Sequence, residues 1–299
     1  MTATEDRILV PGSAEHNSLV TASKVAAIMG HSPWASPLSI WQQMKGIDPG
    51  AAQTREQSRG HYLEPAVMAW WQDQHPEYTH VAEQTVLSRG ELPWAAATPD
   101  GIATGDGVPI VGVEAKTAAD TRDAWGKPGT DEIPLYYAIQ AMWQMHLGGH
   151  QITYFPVLGE YLTFSEYVIE YDPLVGAELE RQAFEFWESL LYDDAPPLDD
   201  HPATLESLRR VYSDIDKATD VYIGTDLARR YVAAVEAEKA GKAALTAAKS
   251  EMSKAMTNAR RALVVVGEDA LLVATRQAAA NGAPYVKAAP KLPTIPSED

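Results

Sequence analysis

Apolar residues recur along this chain with two different periods, and the switches between them mark out its elements. Ser18 to Gly30 puts Val25, Ala26 and Met29 on one helical face, with Thr21 or Ser23 as the cap and Gly30 as the stop. Ser36-Pro37 opens a second helix that runs through Trp41 and Met44 to Gly46. Ala52 to Gln74 predicts a longer helix, broken near Gly60 and closed by Pro76. Val81 to Leu87 reads as a strand. Ala95 to Thr104 and Pro109 to Thr117 are extended runs joined by Gly105-Asp106-Gly107, the chemistry of a tight hairpin. Asp120 to Glu132 is charged and carries Gly126, Pro128 and Gly129, as a loop or lid does. Pro134 starts a helix bearing Tyr136, Tyr137, Gln140, Trp143 and Gln144, which ends at Gly148-Gly149. Two strands (Ile152 to Leu158, Tyr161 to Tyr171) and an amphipathic helix (Pro173 to Tyr192) follow.

Asp193 to Pro202 is rich in Asp and Pro and reads as a linker. The pattern changes beyond it. Asp226 to Ala262 is alanine-rich and helical, with a hairpin expected about Gly241. Leu263 to Val266 and Leu271 to Thr275 make a small β-hairpin, and residues 279–299, with four prolines, are expected to be extended or disordered. The division expected is therefore 1–202 for one domain and 203–299 for a helical extension.

At 299 residues, 45% hydrophobic and 22% charged, the chain has the profile of a soluble globular protein. Without a cysteine it has no disulfide, thiolate zinc site or cysteine-held iron–sulfur cluster. No apolar run is long enough to span a membrane and Met1 to Val10 is not a signal peptide, so a cytoplasmic location is expected. The net charge of −17 argues against a protein that coats nucleic acid non-specifically. The charge is uneven, however: residues 157–226 hold 17 acids and 4 bases, and residues 229–261 hold 8 bases and 3 acids. A confined groove needs only local positive potential.

The chemistry concentrates on the predicted hairpin. Thr98-Pro99-Asp100-Gly101 is followed by Glu114-Ala115-Lys116. Residues two apart on a strand share a face, so Glu114 and Lys116 point together while Val111, Val113 and Ala115 point to the other side. Two carboxylates, Asp100 and Glu114, suit Mg²⁺, and a lysine beside them can orient water and stabilise charge growing on a phosphate. Pro-Asp-Gly is also ordinary turn chemistry, and on these residues alone a surface hairpin with a Glu/Lys pair is the better reading. Glu64 taken alone is a first-turn helix acid. His146 and His150 have the spacing of a helical zinc pair, but Gly148-Gly149 between them argues against one. Trp34 and Trp125 fit base stacking and core packing equally well.

Four further motifs stand in order with the hairpin: Val20-Thr21-Ala22-Ser23 with Ala26 to Gly30; Ser32-Pro33-Trp34 with Ser36-Pro37, Trp41, Lys45 and Gly46; Gly60 to Pro65; and Tyr136 to Met142. Together, over about residues 16–192, they resemble the lambda-exonuclease/YqaJ-type viral recombinase family of restriction-endonuclease-like nucleases. The resemblance implies an α/β fold, a mixed central sheet flanked by helices, here with a C-terminal helical extension. It implies a site of Glu64, Asp100, Glu114, Lys116 and Gln140. Asp100, Glu114 and the Ala115 carbonyl would hold Mg²⁺ (Mn²⁺ substituting), with Glu64 on a second ion or a water. The second glutamine common on the family's last helix falls at Met142. Ser23, with Thr21, matches a serine that holds the 5′-phosphate of a DNA end, and the arginine partnering it falls at His16. The implied activity is 5′-to-3′ exonuclease action on linear duplex DNA, leaving 3′ single strands for recombination. The implied partners are duplex ends, a single-strand annealing protein and further copies of the chain as a trimer or tetramer. A related nuclease of other polarity or substrate, and a non-catalytic protein that binds DNA ends, are the alternatives.

Overall fold

The structure, a computed structural model, describes residues 3–5, 9–10, 12–118, 124–280 and 282–296. Residues 119–123, which include the start of the loop expected at 120–132, lie outside them. Strand β1 (Ala3–Glu5) and the short helix α1 (Ala14–Ser18) lead to β2 (Val20–Thr21), which runs straight into α2 (Ala22–Ile28). Thr21 stands at the cap position of α2, but its hydroxyl lies 3.1 Å from Ser23 Oγ and caps no backbone amide. Helix α3 (Pro37–Met44) starts where expected, on a capping box between Ser36 and Ser39. Helix α4 (Arg55–Gln74) has a second box between Thr54 and Gln57. It passes through Gly60 and Pro65 without the expected break, held by Val67, Met68 and Trp71 on its buried face.

The strand expected at 81–87 is two strands, β3 (His80–Glu83) and β4 (Val86–Ser88), parted at Gln84 with φ 52°. Next come β5 (Ala95–Ala96), β6 (Gly101–Thr104), β7 (Val111–Val113) and β8 (Lys116–Thr117). Gly107, at φ 76°, makes the hairpin turn between β6 and β7. Gly101 has a different duty. It starts a strand, and a Cβ there would come within 2.7 Å of Met68 and of Val81. Pro-Asp-Gly is thus a close packing point under α4 and not a turn.

Helix α5 (Leu135–Gly148) ends on Gly149 in the left-handed region. Strands β9 (Ile152–Leu158) and β10 (Phe164–Glu170) pair antiparallel, and α6 (Pro173–Leu191) follows behind an Asp172 cap. The main sheet runs β10-β9-β7-β6-β3. It is mixed: β7 and β8 lie parallel to β9, while β6 is antiparallel to β7 and β3. One face carries α2, α5 and α6, with Val25, Ile139, Met142, Trp143, Phe155 and Leu179 in one core. The other carries α4, with Met68 and Trp71 packed on Ala103, Val111 and Val113. The central mixed sheet flanked by helices is the fold class expected.

The chain divides into two units, Met1–Ile215 and Asp216–Asp299, later than the break expected after 202. The intervening helix α7 (Pro202–Val211) is bound to the first unit. Arg210 grips Asp48 through two 2.7 Å bonds, Ser207 donates to Gln42 at 2.6 Å, and Thr204 to Ser36 at 2.6 Å. In the second unit α8 (Thr225–Met256) is one uninterrupted helix through Gly241, not a helical hairpin. Alanine's helix propensity over 32 residues outweighs a single glycine. Three strands follow in the order β11 (Arg261–Val266), β12 (Asp269–Ala279) and β13 (Gly282–Ala288). The third lies where an extended tail was expected. Its Pro284 is tolerated because β13 is an edge strand.

Candidate active site

Strands β7 and β8 are one run against β9, with Val113 opposite Tyr154 and Lys116 opposite Val157. Between them the Glu114 amide donates to the Tyr154 carbonyl at 2.9 Å. On the other side β6 begins only at Gly101. There Asp100 Oδ2 accepts the Ala115 amide at 2.8 Å, so an aspartate side chain stands where the next backbone partner would be. This bond brings Asp100 to the Glu114–Lys116 step.

Glu114 is 2% exposed, and three side chains donate to it. Lys116 Nζ reaches Oε1 at 2.7 Å, Gln140 Nε2 binds the same oxygen, and Gln144 Nε2 reaches Oε2 at 2.8 Å. Glu64 comes from α4, with His61 Nδ1 3.9 Å from its carboxylate. Tyr137, on α5, lies under Lys116, whose ammonium is 4.9 Å from the ring centroid.

The electrostatics follow from crowding three acids around one lysine. Burial, and then Glu114, hold the Asp100 carboxyl well above the usual carboxylate range against the pull of Lys116. Burial also raises Glu64, with Glu114 adding to it and His61 opposing. For Lys116, burial disfavours the ammonium, but Glu114 and Asp100 reverse that and hold it above the ordinary lysine range. Among the described residues, no three His, Asp or Glu side chains already form a metal cluster, and both Glu114 oxygens are turned to Lys116 and the two glutamines. The donor set nevertheless suits a hard divalent cation: oxygen ligands only, in a place where added positive charge would relieve the raised carboxyls.

The structure thus brings together Asp100, Glu114, Ala115, Lys116 and Gln140, with Glu64 within electrostatic reach. It adds Gln144, which the sequence reading left on the helix without a role. Met142 is core, its sulfur accepting the Asp172 amide at 3.3 Å. On a helix, i and i+2 point apart while i and i+4 share a face, so Gln144 and not residue 142 is the second glutamine at Glu114. Trp125 is 7% exposed and packs on Tyr137 and Tyr167, a core residue; Trp34 is 65% exposed. His146 bonds Tyr171 and Glu180, and His150 is buried beside Thr153, an arrangement that does not make a zinc pair.

Residues 13–151, which contain every one of these site residues, match the sequence model of the YqaJ-like viral recombinase domain. The segment is a YqaJ-like viral recombinase domain. No curated protein matches the chain. Among solved structures, this chain is similar to an alkaline exonuclease of Laribacter hongkongensis, at 21% identity and a TM-score of 0.46 over 61% of this chain and 93% of that one. The same exonuclease in complex with dAMP gives 23% and 0.47, over 67% and 96%. A phage-related exonuclease of Haemophilus somnus gives 11% and 0.45, over 58% and 96%.

At the head of the YqaJ-like domain, Ser23 and Thr21 have their hydroxyls together at the start of α2. His16 lies on α1, its Nδ1 accepting the Gly12 amide at 3.4 Å. Burial, and then Lys24, push the His16 imidazole below its ordinary range. Lys24 is itself buried, bonds the carbonyls of His16 at 2.5 Å and Leu19 at 2.8 Å, and is pushed down by burial to about 7.

Proposed function

We propose that this chain is a metal-dependent deoxyribonuclease that digests linear duplex DNA from its 5′ ends and leaves 3′ single strands for recombination. The observation that carries the reading is the convergence of Asp100, Glu114, Lys116 and two glutamines at one strand end, within a YqaJ-like domain. Asp100, Glu114 and the Ala115 carbonyl would hold a divalent cation, which would supply a Lewis acid and activate water. The protein's own groups do the rest. Gln140 and Gln144 fix the Glu114 carboxylate in one orientation. Lys116, kept as an ammonium by its acidic neighbours, is no proton acceptor; it stabilises charge on the phosphate and aligns the nucleophile. Glu64 takes a water or a second ion.

Ser23, with Thr21 and His16, is the proposed reader of the 5′-phosphate. Self-association is proposed from the second unit, where Leu227, Tyr231, Val235 and Leu245 share one exposed face of α8. An annealing protein that takes over the 3′ strand is the partner this product calls for.

The test is digestion of end-labelled linear duplex with Mg²⁺ or Mn²⁺ and with EDTA. Metal-dependent release of nucleotides from the 5′ end is expected. Release from the 3′ end would overturn the polarity, and intact DNA under all conditions would leave only end binding.

A further inference from the structure

One aromatic side chain near the site has no structural duty that its exposure explains. Trp34 is 65% exposed, although it belongs to a loop that is firmly held. Ser32 Oγ accepts the amides of Trp34 and Ala35 at 3.2 and 3.3 Å, and the Ser32 carbonyl is bonded by His201 at 3.0 Å. Two residues on, Ser36 caps α3 and is bonded by Thr204. A flexible loop explains an exposed tryptophan easily; a loop pinned at both ends does not.

The ring is also placed in line with the catalytic lysine. Trp34 meets Tyr136 in a T-shaped contact with centroids 4.6 Å apart and planes at 73°, and with the residue 65% exposed much of the indole surface stays open. Tyr136 meets Tyr137 at 4.4 Å, and Tyr137 is the ring beneath Lys116 Nζ at 4.9 Å. Trp34 also reaches Tyr137 directly at 6.4 Å. A continuous aromatic wall therefore runs from the lysine to solvent, and Trp34 is its outer end. A DNA strand whose scissile phosphate lies at Lys116 carries its neighbouring bases along such a wall, since bases follow one another at about 3.4 Å per step when stacked.

We propose that the open face of Trp34 stacks on an unpaired nucleobase next to the scissile phosphate and so holds the opened DNA end in register for cutting. This rests on the nuclease reading of the same site. Stacking of this kind is indifferent to base identity, as an enzyme that digests every sequence requires.

The experiment is anisotropy binding of a labelled duplex with a frayed 5′ end, in EDTA so that nothing is cut, with the wild type, Trp34→Ala and Trp34→Phe. A second series carries one abasic nucleotide stepped through the first positions of the end. Expected is a loss of about 5- to 150-fold in affinity for Trp34→Ala, recovered mostly by Trp34→Phe. At one position the abasic substitution should weaken the wild type and leave Trp34→Ala unaffected. Equal affinity of wild type and Trp34→Ala, or additive losses at every abasic position, overturns the proposal. So does a Trp34→Ala protein whose mass by light scattering falls in step with its binding, which makes the ring a contact between copies. Digestion with Mg²⁺ is measured on the same proteins: an inactive wild type refutes the nuclease reading, while the binding series still decides the stacking.

Discussion

Gln144 holds Glu114 from the side opposite Lys116, its amide 2.8 Å from Oε2 while the lysine is 2.7 Å from Oε1. Gln144 has no measurable exposure, so the bond cannot be replaced by bulk water. Gln144→Leu should cost about 1–3 kcal/mol of stability by leaving a buried carboxylate oxygen without that donor. It should also lower the digestion rate more than it weakens DNA binding. Gln144→Glu should be worse on both counts, because it sets a second carboxylate against Glu114. Thermal unfolding together with single-turnover digestion checks this; a Gln144→Leu protein with wild-type rate would show that Gln140 and Lys116 suffice.

Lys116→Ala should lower the digestion rate by at least about 100-fold, the usual effect of removing one donor from developing charge. Duplex binding in EDTA should change much less. A near-normal rate in a folded Lys116→Ala protein would move the chemistry elsewhere.

Mg²⁺ or Mn²⁺ should raise the melting temperature, because a ligand that binds only the native state stabilises it. Asp100→Asn should remove most of that shift and leave the metal-free protein at least as stable as the wild type, since Asp100 is held in a place that disfavours its charge. Equal shifts in both proteins would place the ion away from Asp100.

The 5′-phosphate preference should depend on His16 only in acid. Burial and then Lys24 hold the imidazole below its ordinary range, so it carries its proton less readily than a free histidine, and a bound phosphate would oppose that shift. The ratio of rates on 5′-phosphoryl and 5′-hydroxyl duplex should be higher at pH 6 than at pH 8. His16→Arg should raise the ratio at both. A ratio that is unchanged by pH and by His16→Ala would leave Ser23 and Thr21 to read the phosphate alone.

Stability should fall as the solution is acidified from about pH 6.5 to 4. His150 is 5% exposed and its imidazole is pushed down to about 4 by burial, so the unfolded chain takes up a proton that the native state refuses. The stabilisation is complete above 6.5 and is lost progressively below it, up to about 3 kcal/mol. His150→Asn should flatten that part of the curve in a urea titration; an unchanged slope would assign the acid sensitivity to other groups.

Local signals carried much of the fold. The Ser36 cap, the Gly107 turn and the Gly149 stop each act through their own neighbours, and each stands where the sequence puts it. Misreadings arose where tertiary packing overrode a local rule. Gly60 and Pro65 are breakers by propensity, yet α4 runs through them because Trp71 and its neighbours bury against the sheet. The Asp48–Arg210 pair joins residues far apart in sequence, and no local pattern announces it, so α7 was assigned to the wrong side of a linker. Asp100, Glu114, Lys116 and Gln140 were legible as residue types in order. Gln144 was legible only as a helical i+4 partner of Gln140, a relation that gains meaning once Glu114 is known to lie beneath both.

The bond from the Ala115 amide to Asp100 has a bearing on quality control. A strand that slips by one residue turns every side chain to the opposite face. Such a slip of the segment 111–117 would put Ala115 where Glu114 belongs and would detach Asp100 from the sheet edge. A sheet assembled out of register therefore cannot carry a working centre. For a protein proposed to degrade DNA, this makes misassembly self-silencing: a copy with this strand out of register lacks the arrangement proposed to cut.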